Sequence, residues 1–183
     1  MYQSPPFNTH VLCVDELGPL GAKTYAAKRW APVGEPPKVA PDYGHRAYVW
    51  TFGAFEPSTG DALTVCTERR RSRDFTAFLE QVVAHWPEGE IILILDNLSV
   101  HRSLEVKLWA LAHERVRFLF QPTYAPWLNL IEPWWKTLRS LALKGRRFEG
   151  AEELTEAITQ GTNYWNEHRH LYHWRKSYSY NYL

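Results

Sequence analysis

Ile91-Ile92-Leu93-Ile94-Leu95-Asp96-Asn97 is an unbroken apolar run that stops abruptly at an acid and an amide. Consecutive branched residues without polar alternation read as a strand buried on both faces, so a strand is expected over residues 90–96. Strands of that kind belong to parallel sheets, whose sites form at the carboxyl ends of the strands. Asp96 therefore falls where chemistry is expected. A second apolar run, Val11-Leu12-Cys13-Val14, also ends in an acid, Asp15, and a strand is expected over residues 9–15. A third acid, Glu132, opens a helical pattern; 35 residues separate it from Asp96.

Working outward, residues 46–55 hold Tyr48, Trp50, Phe52 and Phe55, aromatic strand formers that end at the turn Pro57-Ser58-Thr59-Gly60. Residues 62–67 make the next strand, so three strands run in succession as an antiparallel meander. Residues 23–37 mix short polar and apolar stretches with Gly34 and Pro36-Pro37, which suggests a hairpin and its turn. Phe75, Phe78, Leu79, Val82, Val83 and Trp86 recur at helical spacing over residues 73–86, and Pro87 and Gly89 end that helix. Residues 103–114 form a helix with Leu104, Leu108 and Leu111 on one side. Residues 116–120 form a strand, 129–144 a helix and 151–168 a final helix. The fourth and fifth strands are expected to be parallel through a crossover helix. The resulting class is α/β: a mixed five-stranded sheet flanked by helices, in the βββαβαβα order of the ribonuclease H-like fold.

Composition sets bounds on what the chain does. At 183 residues, with no repeat or long linker, residues 1–183 read as one domain large enough to bury a core. Nine tryptophans exclude a disordered chain. The longest apolar run is too short to span a membrane, and the start lacks a secretion signal, so a cytoplasmic protein is expected. Cys13 and Cys66 sit in strand-like surroundings as buried hydrophobes rather than a disulfide. His168, His170 and His173 fit no compact zinc site. Residues 1–96 carry 9 Lys+Arg against 12 Asp+Glu (−3), and residues 97–183 carry 12 against 8 (+4). A moderately basic second half suits a polyanionic partner.

Three acids brought to one point of a sheet suit hard divalent ions, which take oxygen ligands. Two such ions about 3.5–4 Å apart activate an attacking oxygen and stabilise a leaving one. Glu16 competes with Asp15, but side chains alternate along a strand, so only one of the two faces the site. Asn129 reads as a helix N-cap with Glu132 at the third helical position, which leaves a capping glutamate and a metal ligand equally open. Ile131, Trp134, Leu138 and Leu141 share one face of that helix; Glu132, Lys136 and Arg139 share another. His101 is a candidate to act near the metal or on DNA, or simply to hydrogen-bond locally. Arg69-Arg70-Arg71, with Arg73, are a solvated strand end or a DNA-backbone contact. Tyr178, Tyr180 and Tyr182 alternate with polar residues as an edge strand, a partner contact or packing.

Taken together, Val14-Asp15-Glu16, Arg29-Trp30-Ala31-Pro32-Val33-Gly34, Leu95-Asp96-Asn97-Leu98-Ser99-Val100-His101, Tyr124-Ala125-Pro126-Trp127-Leu128-Asn129-Leu130-Ile131-Glu132 and Tyr164-Trp165-Asn166-Glu167-His168-Arg169 resemble the DDE transposases of the mariner superfamily, in its bacterial insertion-sequence branch. The resemblance implies Asp15, Asp96 and Glu132 as a catalytic, metal-binding triad. It implies two Mg²⁺ ions (or Mn²⁺), cleavage of double-stranded DNA at transposon ends and joining of the freed 3′-hydroxyl to target DNA. Arg69, Arg70, Arg71, His101, Lys136, Arg139, Lys144, Arg146 and Arg147 become candidate DNA contacts. A homodimer on paired ends, in the bacterial cytoplasm at the nucleoid, completes the expectation. Such transposases carry an N-terminal helix-turn-helix region, and the first strand here is expected too near Met1 to leave room for it. A catalytic domain alone is therefore expected. Two other readings stay open: a non-transposing nuclease of the same fold, and an inactive remnant that binds DNA or regulates.

Overall fold

A computed structural model describes residues 2, 5–27, 33, 34, 42, 46–122 and 128–169. Its elements are β1 (Thr9–Gly21), β2 (Tyr48–Phe55), β3 (Ala62–Thr67), α1 (Ser72–His85), β4 (Glu90–Leu95), α2 (Leu104–Ala112), β5 (Val116–Phe120), α3 (Ile131–Ala142) and α4 (Ala151–Glu167). The five strands form one sheet in the order β3-β2-β1-β4-β5. β1–β2 and β2–β3 are antiparallel, whereas β1–β4 and β4–β5 are parallel. The meander and the α2 crossover are thus as expected, and β1 and β4 are direct neighbours. The expected hairpin lies largely outside the described residues, as do His170, His173 and the three alternating tyrosines.

Alternation along the strands sorts the apolar side chains into two cores. Leu12, Val14, Phe52, Ala54, Leu93 and Leu95 face α1 and pack on Phe75, Phe78, Leu79 and Val82. Cys13, Leu17, Leu20 and Phe55 face α3 and α4 and pack on Ile131, Trp134, Trp135, Leu138, Ile158 and Trp165. Each large side chain fully withdrawn from water stabilises the fold by about 1.5–3 kcal/mol, and both faces of the sheet hold several. α4 is tied to β3 by polar contacts as well. Asn166 bonds both the N–H and the C=O of Ala62 (3.0 and 2.8 Å), and Thr162 meets Thr64 at 2.8 Å. Cys13 and Cys66 are free thiols, as expected.

The structure departs from expectation in three places. β1 runs on past Asp15 to Gly21 through a bulge between Leu17 and Leu20, paired there only with β2. α2 turns Val106 inward, while Leu104, Leu108 and Leu111 are 72%, 57% and 78% exposed. α3 begins at Ile131 with Leu130 at the cap position, so Asn129 precedes the cap and Glu132 is the second helical residue. Leu141 is largely outside the α3 core face, and Trp135 and Ala142 fill it instead. No helix among the described residues is long and apolar enough to cross a membrane.

Candidate active site

The parallel register of β1 on β4 aligns Cys13 with Ile94. Asp15 and Asp96 each lie two residues further along, Asp96 one residue past the end of β4. Leu12 and Val14 face α1, so alternation turns Asp15 toward the α3 side; Asp96, past the strand end, reaches His101, which packs on Phe75 of α1. Asp15 stands opposite Gly53 on β2. A Cβ at Gly53 would overlap the Trp135 ring, so this glycine admits α3 onto the sheet at the point where Asp15 lies. Trp135 Nε1 donates to Asp15 Oδ2 at 3.3 Å. Asn129, buried at 5% exposure, donates from Nδ2 to the Val14 carbonyl at 3.0 Å and accepts from the Ile131 N–H. The start of α3 is thereby pinned to β1 one residue before Asp15, and Glu132 opens the helix there.

Charge bears out the proximity. The Asp15 carboxyl is pushed up to about 7 by burial, with the charges of Glu16 and Glu132 adding to the rise; the Glu16 N–H and Trp135 oppose it. Glu132 is exposed and pairs with no described cation, so the Glu132–Lys136 pair that helical spacing allows does not form. Asp96 is held below the usual carboxylate range despite partial burial, because His101, the Leu98 N–H and the charge of Arg70 favour its ionised form.

Glu16 faces away from this cluster, toward Phe52 and α1, with its side chain 2% exposed. His101 is 1% exposed and spans the two acids: Nε2 lies 2.8 Å from Glu16 Oε1 and Nδ1 lies 3.0 Å from Asp96 Oδ1. These two carboxylates raise the imidazole to about 9 against the cost of burial. The expectation that His101 contacts DNA is corrected here, because its ring lies inside the fold with both nitrogens engaged. Alternation left the choice between Asp15 and Glu16 open; the α3 contacts put Asp15 on the side of the sheet where Glu132 lies, and Glu16 on the α1 side.

The remaining candidates divide by position. Lys136 and Arg139 are exposed on the same flank of α3 as Glu132. Lys144, Arg146 and Arg147 lie just past its far end, about 15 Å along the axis at the usual helical rise. Of these, Arg146 bonds the Ala142 carbonyl and stacks on Phe148, and Arg147 pairs with Glu149. Arg70 stacks on Trp50 at 4.7 Å and acts electrostatically on Asp96. Arg69, Arg71 and Arg73 line an open depression of about 430 Å³ with Glu68 and Asp74. Trp135, Gly53 and the Glu16–His101 contact escaped the sequence reading; the one signal for them was a glycine inside an aromatic strand.

The carboxylate oxygens of Asp15, Asp96 and Glu132, with Asp15 raised chiefly by burial, suit a divalent cation in chemistry. Among the described residues, no three His, Cys, Asp or Glu side chains converge closely enough to hold an ion as they stand. Asp96 accounts for part of this, since its Oδ1 is taken by His101 and by the Leu98 N–H.

The sheet order, the crossover and the helices on both faces define a ribonuclease H-like protein, and comparison with solved structures agrees. A Mos1 transposase paired-end complex with left transposon end superimposes with a TM-score of 0.62 at 16% identity, over 88% of this chain and 53% of that one. A simian T-cell lymphotropic virus intasome in complex with PP2A regulatory subunit B56 gamma gives 0.57 at 14% identity, over 87% and 53%. The profile of the DDE superfamily endonuclease family matches residues 10–155, and the chain belongs to that family. The "Insertion element IS630 uncharacterized 39 kDa protein" of Shigella sonnei is 26% identical over 121 residues, 66% of this chain and 35% of that protein. The chain thus spans about a third of this curated relative and about half of each structural neighbour, and its relatives fit the mariner branch expected from the motifs.

Proposed function

We propose that these residues form the catalytic domain of a transposase, with Asp15, Asp96 and Glu132 as its metal-binding carboxylates. The domain cuts double-stranded DNA at transposon ends and transfers the freed 3′-hydroxyl to target DNA. The observation that carries this reading is the placement of Asp15, Asp96 and the α3 start at one end of the β1–β4 pair, in a chain of the DDE endonuclease family. Two bound divalent ions would supply activation of the attacking oxygen and stabilisation of the leaving one. The chain's own residues do the rest. Asp15, raised to about 7, ionises readily once a cation offsets the charges beside it. Asp96, already ionised, presents a half-exposed carboxylate at the end of β4. Lys136 and Arg139, next to Glu132, and Arg70, next to Asp96, hold the phosphate backbone. The more distant basic residues, Arg69, Arg71, Lys144, Arg146 and Arg147, extend that contact. Two copies acting on paired ends in the bacterial nucleoid complete the proposal.

The test is incubation of the protein with DNA bearing a transposon end and with Mg²⁺ or Mn²⁺. Strand-transfer products that vanish in Asp96→Asn and Glu132→Gln are expected. Metal-dependent cuts without joining would instead identify a nuclease, and DNA binding without products an inactive relative.

A further inference from the structure

We infer that Glu16 and His101 are positioning residues that set the orientation of the Asp96 carboxylate; the inference rests on the reading of Asp96 as a metal ligand. Asp96 lies one residue beyond the end of β4, where no strand hydrogen bond holds it, and its side chain is 45% exposed. His101 reaches it from inside the fold: Nδ1 lies 3.0 Å from Oδ1 and 3.4 Å from the Asp96 backbone carbonyl, and the Leu98 N–H meets Oδ1 at 3.0 Å. Oδ1 is thereby fixed and Oδ2 is left for a ligand.

The ring is held in turn. Phe75 packs against it at 4.5 Å between centroids, and Glu16 grips Nε2 from the opposite face of β1. A carboxylate buried in an apolar core is costly unless paired, and His101 is the only side chain that Glu16 meets among the described residues. Glu16 therefore acts on the site from behind. It is adjacent to Asp15 in sequence, and its side chain reaches Asp96 through His101. Partners that orient a metal ligand typically govern affinity by about 10–100-fold.

Two substitutions separate positioning from a plain tie between β1 and the β4–α2 turn. His101→Asn retains a donor near the Nδ1 position and drops the Glu16 contact. His101→Gln retains a donor near the Nε2 position and drops the Asp96 contact. Mn²⁺ affinity is measured by titration calorimetry on the full chain, alongside the melting temperature. His101→Gln is expected to bind Mn²⁺ about 10–100-fold more weakly than the parent, and His101→Asn, which loses only the Glu16 grip, to fall between the two. Equal affinities for the two variants, with any loss confined to melting temperature, would overturn the inference while leaving the metal site standing. A parent that binds no Mn²⁺ would remove the metal reading and the inference together. Should the histidine variants not fold, Glu16→Gln is read the same way: it keeps an acceptor for the ring, and weakened Mn²⁺ binding in a folded protein supports positioning, while unchanged binding overturns it.

Discussion

Trp135 crosses the sheet over Gly53, and its indole N–H ends on the Asp15 carboxylate. The missing side chain on β2 and the large one on α3 are a single fitted pair, and the candidate site lies at its edge. Gly53→Ala places a methyl inside the ring. Overpacking of that kind costs about 1–3 kcal/mol, or a drop of a few degrees in melting temperature for a chain of this size. Trp135→Phe keeps most of the packing but removes the donor to Asp15. Carboxyl titration followed by NMR is expected to show the Asp15 group higher in Trp135→Phe than in the parent, and an unchanged titration would dismiss the hydrogen bond as incidental.

Stability is expected to fall as pH rises from about 4 to 9 in metal-free buffer. Asp15 has a folded value of about 7 against an ordinary 3.8, so its contribution is present below about 3.8 and is lost as pH rises through 7. His101, raised to about 9 from 6.5, contributes below about 6.5 and loses that contribution as pH rises through 9. Asp61 and Asp96 are held low, and their contribution is lost instead as pH falls below the usual carboxylate range. Asp15→Asn is expected to flatten the lower part of this fall and to be more stable than the parent at pH 8, by on the order of 4 kcal/mol. Added Mg²⁺ is expected to stabilise the parent more at pH 8 than at pH 5. Equal shifts at both pH values would count against a metal at Asp15.

The elements that sequence reading located well were those whose signal is local. β4 announced itself by an apolar run without alternation, β3 follows the Pro57–Gly60 turn and β5 ends at Gln121-Pro122. Asp96 and Glu132 stood out because each ends or opens such an element. What was missed depends on partners far away in the chain. Nothing near Leu17-Gly18-Pro19-Leu20 says that a bulge lets β1 continue, since β2 alone supports that half. Nothing near His101 says that a carboxylate 85 positions earlier captures its outer nitrogen. The cap at Asn129 was misplaced because its side chain serves β1 as well as its own helix.

The leucine stripe of α2 shows the same limit from another side. Periodicity marks Leu104, Leu108 and Leu111 as one helical face, but it does not say which face the sheet covers. α2 packs against α1, where Trp109 bonds Glu80, and buries Val106 instead. Leu108→Gln is therefore expected to change stability by no more than about 0.5 kcal/mol, whereas Leu93→Ala, in the core, is expected to cost about 2–5 kcal/mol. Chemical denaturation of the two variants decides it: a large loss from Leu108→Gln would mean that the stripe is covered.

Asn129 joins fold and site most directly, because one side chain fixes where α3 starts relative to β1. Its amide donates to the Val14 carbonyl while its oxygen accepts from the Ile131 N–H, and both groups are buried. Asn129→Ala removes both bonds and is expected to cost about 1–3 kcal/mol. Asn129→Asp keeps the acceptor for Ile131 but sets a carboxylate oxygen against the Val14 carbonyl. It is expected to be the worse of the two, although it is nearly the same size. Because Glu132 moves with the start of α3, both variants are also expected to bind Mn²⁺ more weakly than their stability loss alone explains, read by calorimetry well below the melting temperature. Full Mn²⁺ affinity in a destabilised Asn129→Asp would show that Glu132 holds its place without this contact.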